Sequence, residues 1–254
     1  MQLNAERITP REKLILAGLF LSKYDAAGLK KLGFGSFVEA FNVIGYALGA
    51  RPASIKNYRD EFDPLFPNRR KGWHKRPTRE YCLKVFEEYK RLDLDAFSGL
   101  IKSLVGYDEN AWSEVQPKKK GEETESYFAK RLITGLAAER YFEAVHARLP
   151  EFAGLSVENT TRLGCGYDFR LRAEKPKEFL AVEVKGLSER TGSLSLTPKE
   201  HGVATALSNR FFLFVVKNFR EVPFHEIYRN PLSGDLRFTK KERVMVHVSW
   251  LTNV

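Results

Sequence analysis

Gly166-Tyr167-Asp168-Phe169-Arg170-Leu171, followed after a turn-rich gap by Phe179-Leu180-Ala181-Val182-Glu183-Val184-Lys185-Gly186, is the stretch that decides how this chain folds. Both runs are rich in aromatic and β-branched residues and read as strands. Side chains alternate along a strand, so Glu183 and Lys185 share one face while Val182 and Val184 point to the other. Asp168 opens the earlier strand, and a hairpin through residues 173–177 brings it beside Glu183. Two carboxylates and a lysine then converge at one sheet end.

Working outward, further short β-prone runs lie at 194–196, 211–216 and 244–248. Between the first two of these stands Thr197-Pro198-Lys199-Glu200: a threonine cap, a proline at the first helical position and a glutamate at the third. That capping box predicts a helix over 198–207. Strand, helix and buried strand in that order form a crossover unit, hence a mixed sheet. Upstream, residues 127–148 form one long helical stretch, with Phe128, Leu132, Leu136, Ala137, Tyr141 and Val145 in helical rhythm. Residues 116–123 (Gln-Pro-Lys-Lys-Lys-Gly-Glu-Glu) lack apolar periodicity and read as a linker. Before them the pattern is helical: 10–21 behind Thr9 and Pro10, 37–48 behind Ser36, and 81–91 with Thr78 and Glu80 near its start. The expected class is α+β: an all-α domain over 1–115, a linker over 116–123, and an α/β domain with a mixed sheet over 124–254.

The converging acids and lysine have a chemical reading. Mg²⁺ takes oxygen ligands and keeps several waters, so one or two carboxylates plus a substrate phosphate make its usual site. Such an ion stabilises charge developing on a phosphate and acidifies an attacking water. A lysine on the same strand can position that water and neutralise transition-state charge. Acids gathered where a polyanion is to be received make sense with a cation between them.

Asp168, a spacer, then Glu183-x-Lys185 resembles the PD-(D/E)xK signature of the restriction-endonuclease-like nucleases. Gly-Tyr-Asp, Val-Glu-Val-Lys-Gly and the following Leu194-Ser-Leu-Thr-Pro-Lys-Glu200 are similar to one branch, the domain named after the C-terminal part of the plant protein NO VEIN. The resemblance covers roughly residues 125–230 and includes the long helix. Tyr167 stands where the consensus has proline, a position that varies widely in the superfamily. The resemblance implies a restriction-endonuclease-like fold for the α/β domain. It also implies a catalytic set of Asp168, Glu183 and Lys185, with Mg²⁺ (or Mn²⁺ as substitute) on Asp168 and Glu183. Glu139, in Gly135-Leu-Ala-Ala-Glu139-Arg140, stands where these nucleases often place an acid that supports the metal.

Charge points the same way. Lys and Arg number 42 against 32 Asp and Glu, giving +10 and a pI near 9.5, the balance of a protein that meets a polyanion. Between Arg51 and Arg79 nine basic residues face only Asp60, Glu61 and Asp63, a local excess of +6. Within this stretch residues 41–49, a turn at 50–53 and residues 54–62 read as helix, turn, helix, with the second helix starting at Ala53 or Ser54. Ile55, Tyr58 and Phe62 form its apolar stripe, leaving Lys56, Asn57 and Arg59 outward, a pattern that resembles a helix-turn-helix. The DNA-contact candidates are Arg51, Ser54, Lys56, Asn57 and Arg59, then Arg69, Arg70, Lys71, Trp73, His74, Lys75 and Arg76 in the loop that follows. Two plainer readings stand beside these: an αα-hairpin with a solvated basic face, and Trp73 as an anchor holding its loop to the domain.

Other classes fall away. No run approaches the roughly 18 apolar residues that span a bilayer, and no secretory leader pattern opens the chain. Cys82 and Cys165 fit neither a disulfide framework nor a zinc finger. The histidines form no i, i+4 pair, Ser195 has no Gly-x-Ser-x-Gly setting, and no glycine loop cradles a phosphate. The expectation is a cytoplasmic Mg²⁺-dependent endonuclease of restriction or phage-defence type, acting on double-stranded DNA as a homodimer, without a membrane partner or small-molecule cofactor. The competing readings are a non-cleaving, sequence-specific DNA-binding regulator and a structure-selective repair nuclease.

Overall fold

Thr9 begins the first helix as its position implies: its side chain accepts Glu12 N–H while the Glu12 carboxylate accepts Thr9 N–H at 2.8 Å. In the computed structural model, which describes residues 8–106, 122–173, 178–234, 236–242 and 252, this helix α1 spans Pro10–Leu32. It runs eleven residues past the apolar rhythm of 10–21, through a kink at Asp25 (φ 48°, ψ −127°). Helix α2 (Phe37–Ala47) is capped by Ser36, whose hydroxyl accepts Glu39 N–H at 3.1 Å. Gly49, at φ +68°, turns the chain where a side chain would be strained. Helix α3 (Pro52–Phe62) begins at Pro52, one residue before Ala53 and two before Ser54, the expected starts. Proline at its first position starts it, and Arg51 makes no side-chain cap. Helix α4 (Glu80–Tyr89) matches the third amphipathic run. Helix α5 (Leu94–Leu104), capped by Asp93, lies outside the runs that the sequence marks as helical.

Helix α6 (Glu122–Val145) corresponds to the long helical stretch, its last residues tightening into a 3₁₀ turn, His146–Arg148. Five strands follow: β1 (Ser156–Asn159), β2 (Phe169–Arg172), β3 (Phe179–Gly186), β4 (Phe211–Lys217) and β5 (Phe224–Arg229), in spatial order β1-β2-β3-β4-β5. Helix α7 (Pro198–Leu207) carries the chain from β3 to its parallel neighbour β4, and every other pairing is antiparallel. The molecule is thus α+β, a helical N-terminal region joined to a mixed sheet. Residues 194–196, expected as a strand, form none: they lead into the Thr197 cap instead of pairing. Strands β1 and β5 take the edges. The expected strand 244–248, most of the linker (116–121) and the hairpin tip at 174–177 lie outside the described residues.

The sheet has two unlike faces. Phe169, Leu171, Val182, Val184, Phe212, Phe214 and Val216 point toward α6, where Phe142 lies 4.8 Å from the Phe169 ring and 5.0 Å from that of Phe214. This core is continuous with that of the N-terminal helices. On the other face Ala181 and Phe211 pack with Tyr167 and with Ala204 of α7. Strand β4 is buried over Phe211–Val216, which explains its unbroken apolar run: a central strand covered on both faces has no reason to alternate.

Candidate active site

Register builds the site. Phe169 lies opposite Val182, so the next pair outward sets Asp168 beside Glu183. Asp168 is clamped: its N–H donates to Val182 O (3.0 Å), and its carbonyl accepts the N–H (2.8 Å) and hydroxyl (3.1 Å) of fully buried Thr160. Its own Oδ2 accepts Val184 N–H at 2.8 Å, so the carboxylate takes a ladder position between the strands. Glu183, 3% exposed, lies on the α7 face of β3 with Lys185 two residues on. Lys185 Nζ donates to Glu183 Oε1 at 2.5 Å and to Glu200 Oε2 at 3.0 Å.

Glu200 has two tasks. It closes the capping box of α7, accepting Thr197 N–H at 2.9 Å, and it holds the far side of the Lys185 ammonium. The sequence shows only the first, since a residue already accounted for by its local turn gives no further signal. The crossover topology is what carries it to Lys185.

Helix α6 brings Glu139. Where α6 crosses the end of β3, Gly186 leaves room for it: a Cβ there would stand 2.7 Å from Thr134 O and 3.1 Å from the Ala138 Cβ. Glu139 follows Ala138, within the electrostatic field of Asp168 and Lys185. Burial, then the charges of Asp168 and Glu143, push Glu139 up to about 7. Burial likewise raises Asp168 to about 6, against the pull of Val184 N–H and Lys185. For Glu183 burial and then the Asp168 charge act together and push it up to about 9. Burial works against the Lys185 charge, yet Glu183 and Glu200 hold the ammonium above its ordinary value.

One buried and two half-buried carboxyl groups that resist ionising together are the electrostatic setting a divalent cation relieves. The donor set is oxygen only, which suits Mg²⁺ or Mn²⁺ over softer metals. Among the described residues no three Asp, Glu, His or Cys side chains already close on a single point. Lys185 stands between Glu183 and Glu200 and contacts both carboxyl groups.

The basic candidates divide sharply. Arg59, expected outward, is 9% exposed: it packs on the Phe37 and Phe41 rings and pairs with Asp60 (2.5 Å) and Asp63 (3.7 Å). The α3 stripe of Ile55, Tyr58 and Phe62 turns it inward, because helical residue 59 follows 55 by one turn. Arg70 bridges Asp63 and Asp25, the residue at the α1 kink, while Arg76 and Arg79 converge on Glu61 and Lys56 holds Asp60. The three acids of this stretch are buried and each serves two cations. Trp73 is half-buried, its N–H donating to Asp60 O and its ring lying under the Arg76 and Arg79 guanidiniums, so it anchors its loop. Ser54 is half-buried, whereas Asn57 and His74 are exposed. Arg51, Arg69, Lys71 and Lys75 are exposed and have no carboxylate partner among the described residues.

Among the described residues no helix is long and apolar enough to cross a membrane. No curated protein and no solved structure matches the chain. Residues 138–229, from just before Glu139 to the end of β5, match the family described as Protein NO VEIN, C-terminal, so the mixed sheet with its carboxylates and lysine carries the likeness.

Proposed function

We propose that the protein is a metal-dependent DNA endonuclease, of restriction or phage-defence type. The observation that carries this reading is the set Asp168, Glu183 and Lys185, held by strand register within a region matching the NO VEIN C-terminal family and flanked by Glu139. Asp168 and Glu183 would hold Mg²⁺ or Mn²⁺, with Glu139 supporting the ion directly or through water. When bound, the ion supplies Lewis-acid stabilisation of the phosphate and lowers the pKa of water.

The chain's own residues do the rest. Lys185, fixed on the strand of Glu183, positions the attacking water and offsets negative charge gathering on the scissile phosphate. The Val184 N–H fixes the Asp168 carboxylate, so little reorganisation is needed when substrate arrives. Arg51, Arg69, Lys71 and Lys75 supply the exposed positive charge for duplex phosphates, and Asn57 on α3 is the exposed amide available to a base edge. Cutting both strands requires two such sites, hence a homodimer.

The test is a gel. Purified protein is incubated with methylated and unmethylated plasmid DNA, with Mg²⁺ and with EDTA. Discrete, Mg²⁺-dependent fragments are expected, and Asp168→Ala or Lys185→Ala should abolish them while DNA binding changes less than about threefold. Intact DNA in every lane despite a mobility shift would establish the non-cleaving regulator instead. Nicking confined to branched or damaged DNA would favour a repair nuclease.

A further inference from the structure

We infer that Glu200 is a positioning residue, which keeps the Lys185 ammonium at the site when a divalent cation takes over the Glu183 carboxylate; the inference rests on the metal-dependent reading of that site. Lys185 Nζ lies between two carboxylates, 2.5 Å from Glu183 and 3.0 Å from Glu200. A cation bound by Glu183 Oε1 competes with Lys185 for that oxygen. Without a second anchor, ion binding would have to break the only charge pair Lys185 makes, and the freed ammonium would be repelled by the ion. Glu200 removes both difficulties, because the ammonium can shift its weight to a carboxylate that it already touches.

The geometry makes this anchor rigid. Glu200 is the third residue of α7, and its Oε2 also accepts Thr197 N–H at 2.9 Å. The Thr197 hydroxyl returns a hydrogen bond from Glu200 N–H at 3.2 Å. A surface glutamate would follow the lysine about, whereas this one is locked by the capping box that starts the crossover helix. Its side chain is only 15% exposed, so the pair is shielded from bulk solvent. The cap of α7 and the position of the lysine are therefore one structural device.

A double-mutant cycle on metal binding tests this without reference to cleavage. The full-length proteins wild type, Glu200→Gln, Lys185→Gln and the double variant are titrated with Mn²⁺ in the absence of DNA, by calorimetry or by the loss of free-ion electron paramagnetic resonance. Glutamine keeps the capping oxygen, so α7 should stay intact, and circular dichroism with thermal unfolding checks that it does. Glu200→Gln is expected to weaken Mn²⁺ binding about fivefold or more in the wild-type background, the scale of coupling between contacting charged groups. In the Lys185→Gln background the same substitution should have less than half that effect, since there is no ammonium left to hold.

An equal loss in both backgrounds would overturn the inference, because Glu200 would then act on the ion itself. No loss in either would overturn it as well and leave Glu200 a helix cap alone. A wild-type protein that binds no Mn²⁺ would instead sink the metal-dependent reading, and this inference with it.

Discussion

Glu183 is 3% exposed and has its carboxylate beside that of Asp168, with Lys185 as its one cationic partner among the described residues. Burial and the neighbouring acid raise it to about 9, and the sign of the consequence follows. Between the ordinary glutamate range and about 9 the unfolded chain releases a proton that the folded chain retains. Folding stability contributed at this position therefore falls as pH rises through that window. Glu183→Gln removes the titration and keeps the shape. In the presence of a chelator at about pH 8, the variant should melt at least 2 °C higher than wild type, about 1 kcal/mol in a chain of this size, with the gap narrowing toward pH 5. Mg²⁺ should raise the wild-type midpoint and leave the variant nearly unmoved, by ordinary binding linkage. A scan in which the variant melts lower at pH 8 without metal would show that the carboxylate is not under electrostatic stress.

At the scale of the element, legibility followed locality. The Thr9 N-cap and the Thr197–Glu200 capping box could be read directly, because a cap is made by residues close in sequence. Strand β3 and the Asp168–Glu183–Lys185 set could be read too, from alternation and spacing. Edge strand β1 (Ser-Val-Glu-Asn), exposed along its whole length, and β5, half-buried with Glu226 and His225 in it, could not: neither has the apolar run that marks a strand. Residues 194–196 have the alternation but pair with no strand among the described residues. The α3 face failed for a related reason. Arg59 looks like a surface cation in sequence, but its orientation depends on Asp63 one turn on and on the Phe37 and Phe41 rings across the helix pair.

That placement separates two kinds of arginine. Arg59→Ala should cost about 2–3 kcal/mol, somewhat below the figure for a wholly orphaned buried charge because Lys56 and Arg70 remain on Asp60 and Asp63. Arg51→Ala and Lys71→Ala, both at exposed positions, should leave the melting temperature within about 1 °C. They should weaken duplex binding and lower its salt slope by about one each. Urea unfolding and fluorescence anisotropy across a salt series measure the two effects. If Arg51→Ala destabilises the fold as Arg59→Ala does, or leaves the salt slope unchanged, the division into structural and DNA-facing cations is wrong.

For the whole molecule, the question is what makes the helical half and the sheet half act together. Asn42 on α2 is 6% exposed, and its Nδ2 donates to the carbonyls of Phe219 and Glu221, both at 2.8 Å, in the turn between β4 and β5. Beside it Tyr46 packs edge-on against Tyr141 of α6 at 5.2 Å and against Phe219 at 6.2 Å. Lys130 of α6 pairs with fully buried Glu39 at 2.7 Å. On the proposed reading, a grip on DNA by the helical half would reach Asp168 and Glu183 through contacts of this kind, since both α6 and the β4–β5 turn belong to the sheet half. Asn42→Ala deletes one buried and one part-buried hydrogen bond and leaves two carbonyls without their donor, at a cost of about 2 kcal/mol. The expected result in urea is a lower midpoint. The variant's slope should also fall if the sheet half and the helical half begin to unfold separately, because each part exposes less surface than the whole. Circular dichroism at the helix band, followed alongside hydrogen exchange of β3 and β4 amides, reads the two halves independently. Coincident transitions in wild type and separated ones in Asn42→Ala would make this side chain the coupling between them, whereas an unchanged midpoint and slope would place the coupling in the aromatic contacts of Tyr46.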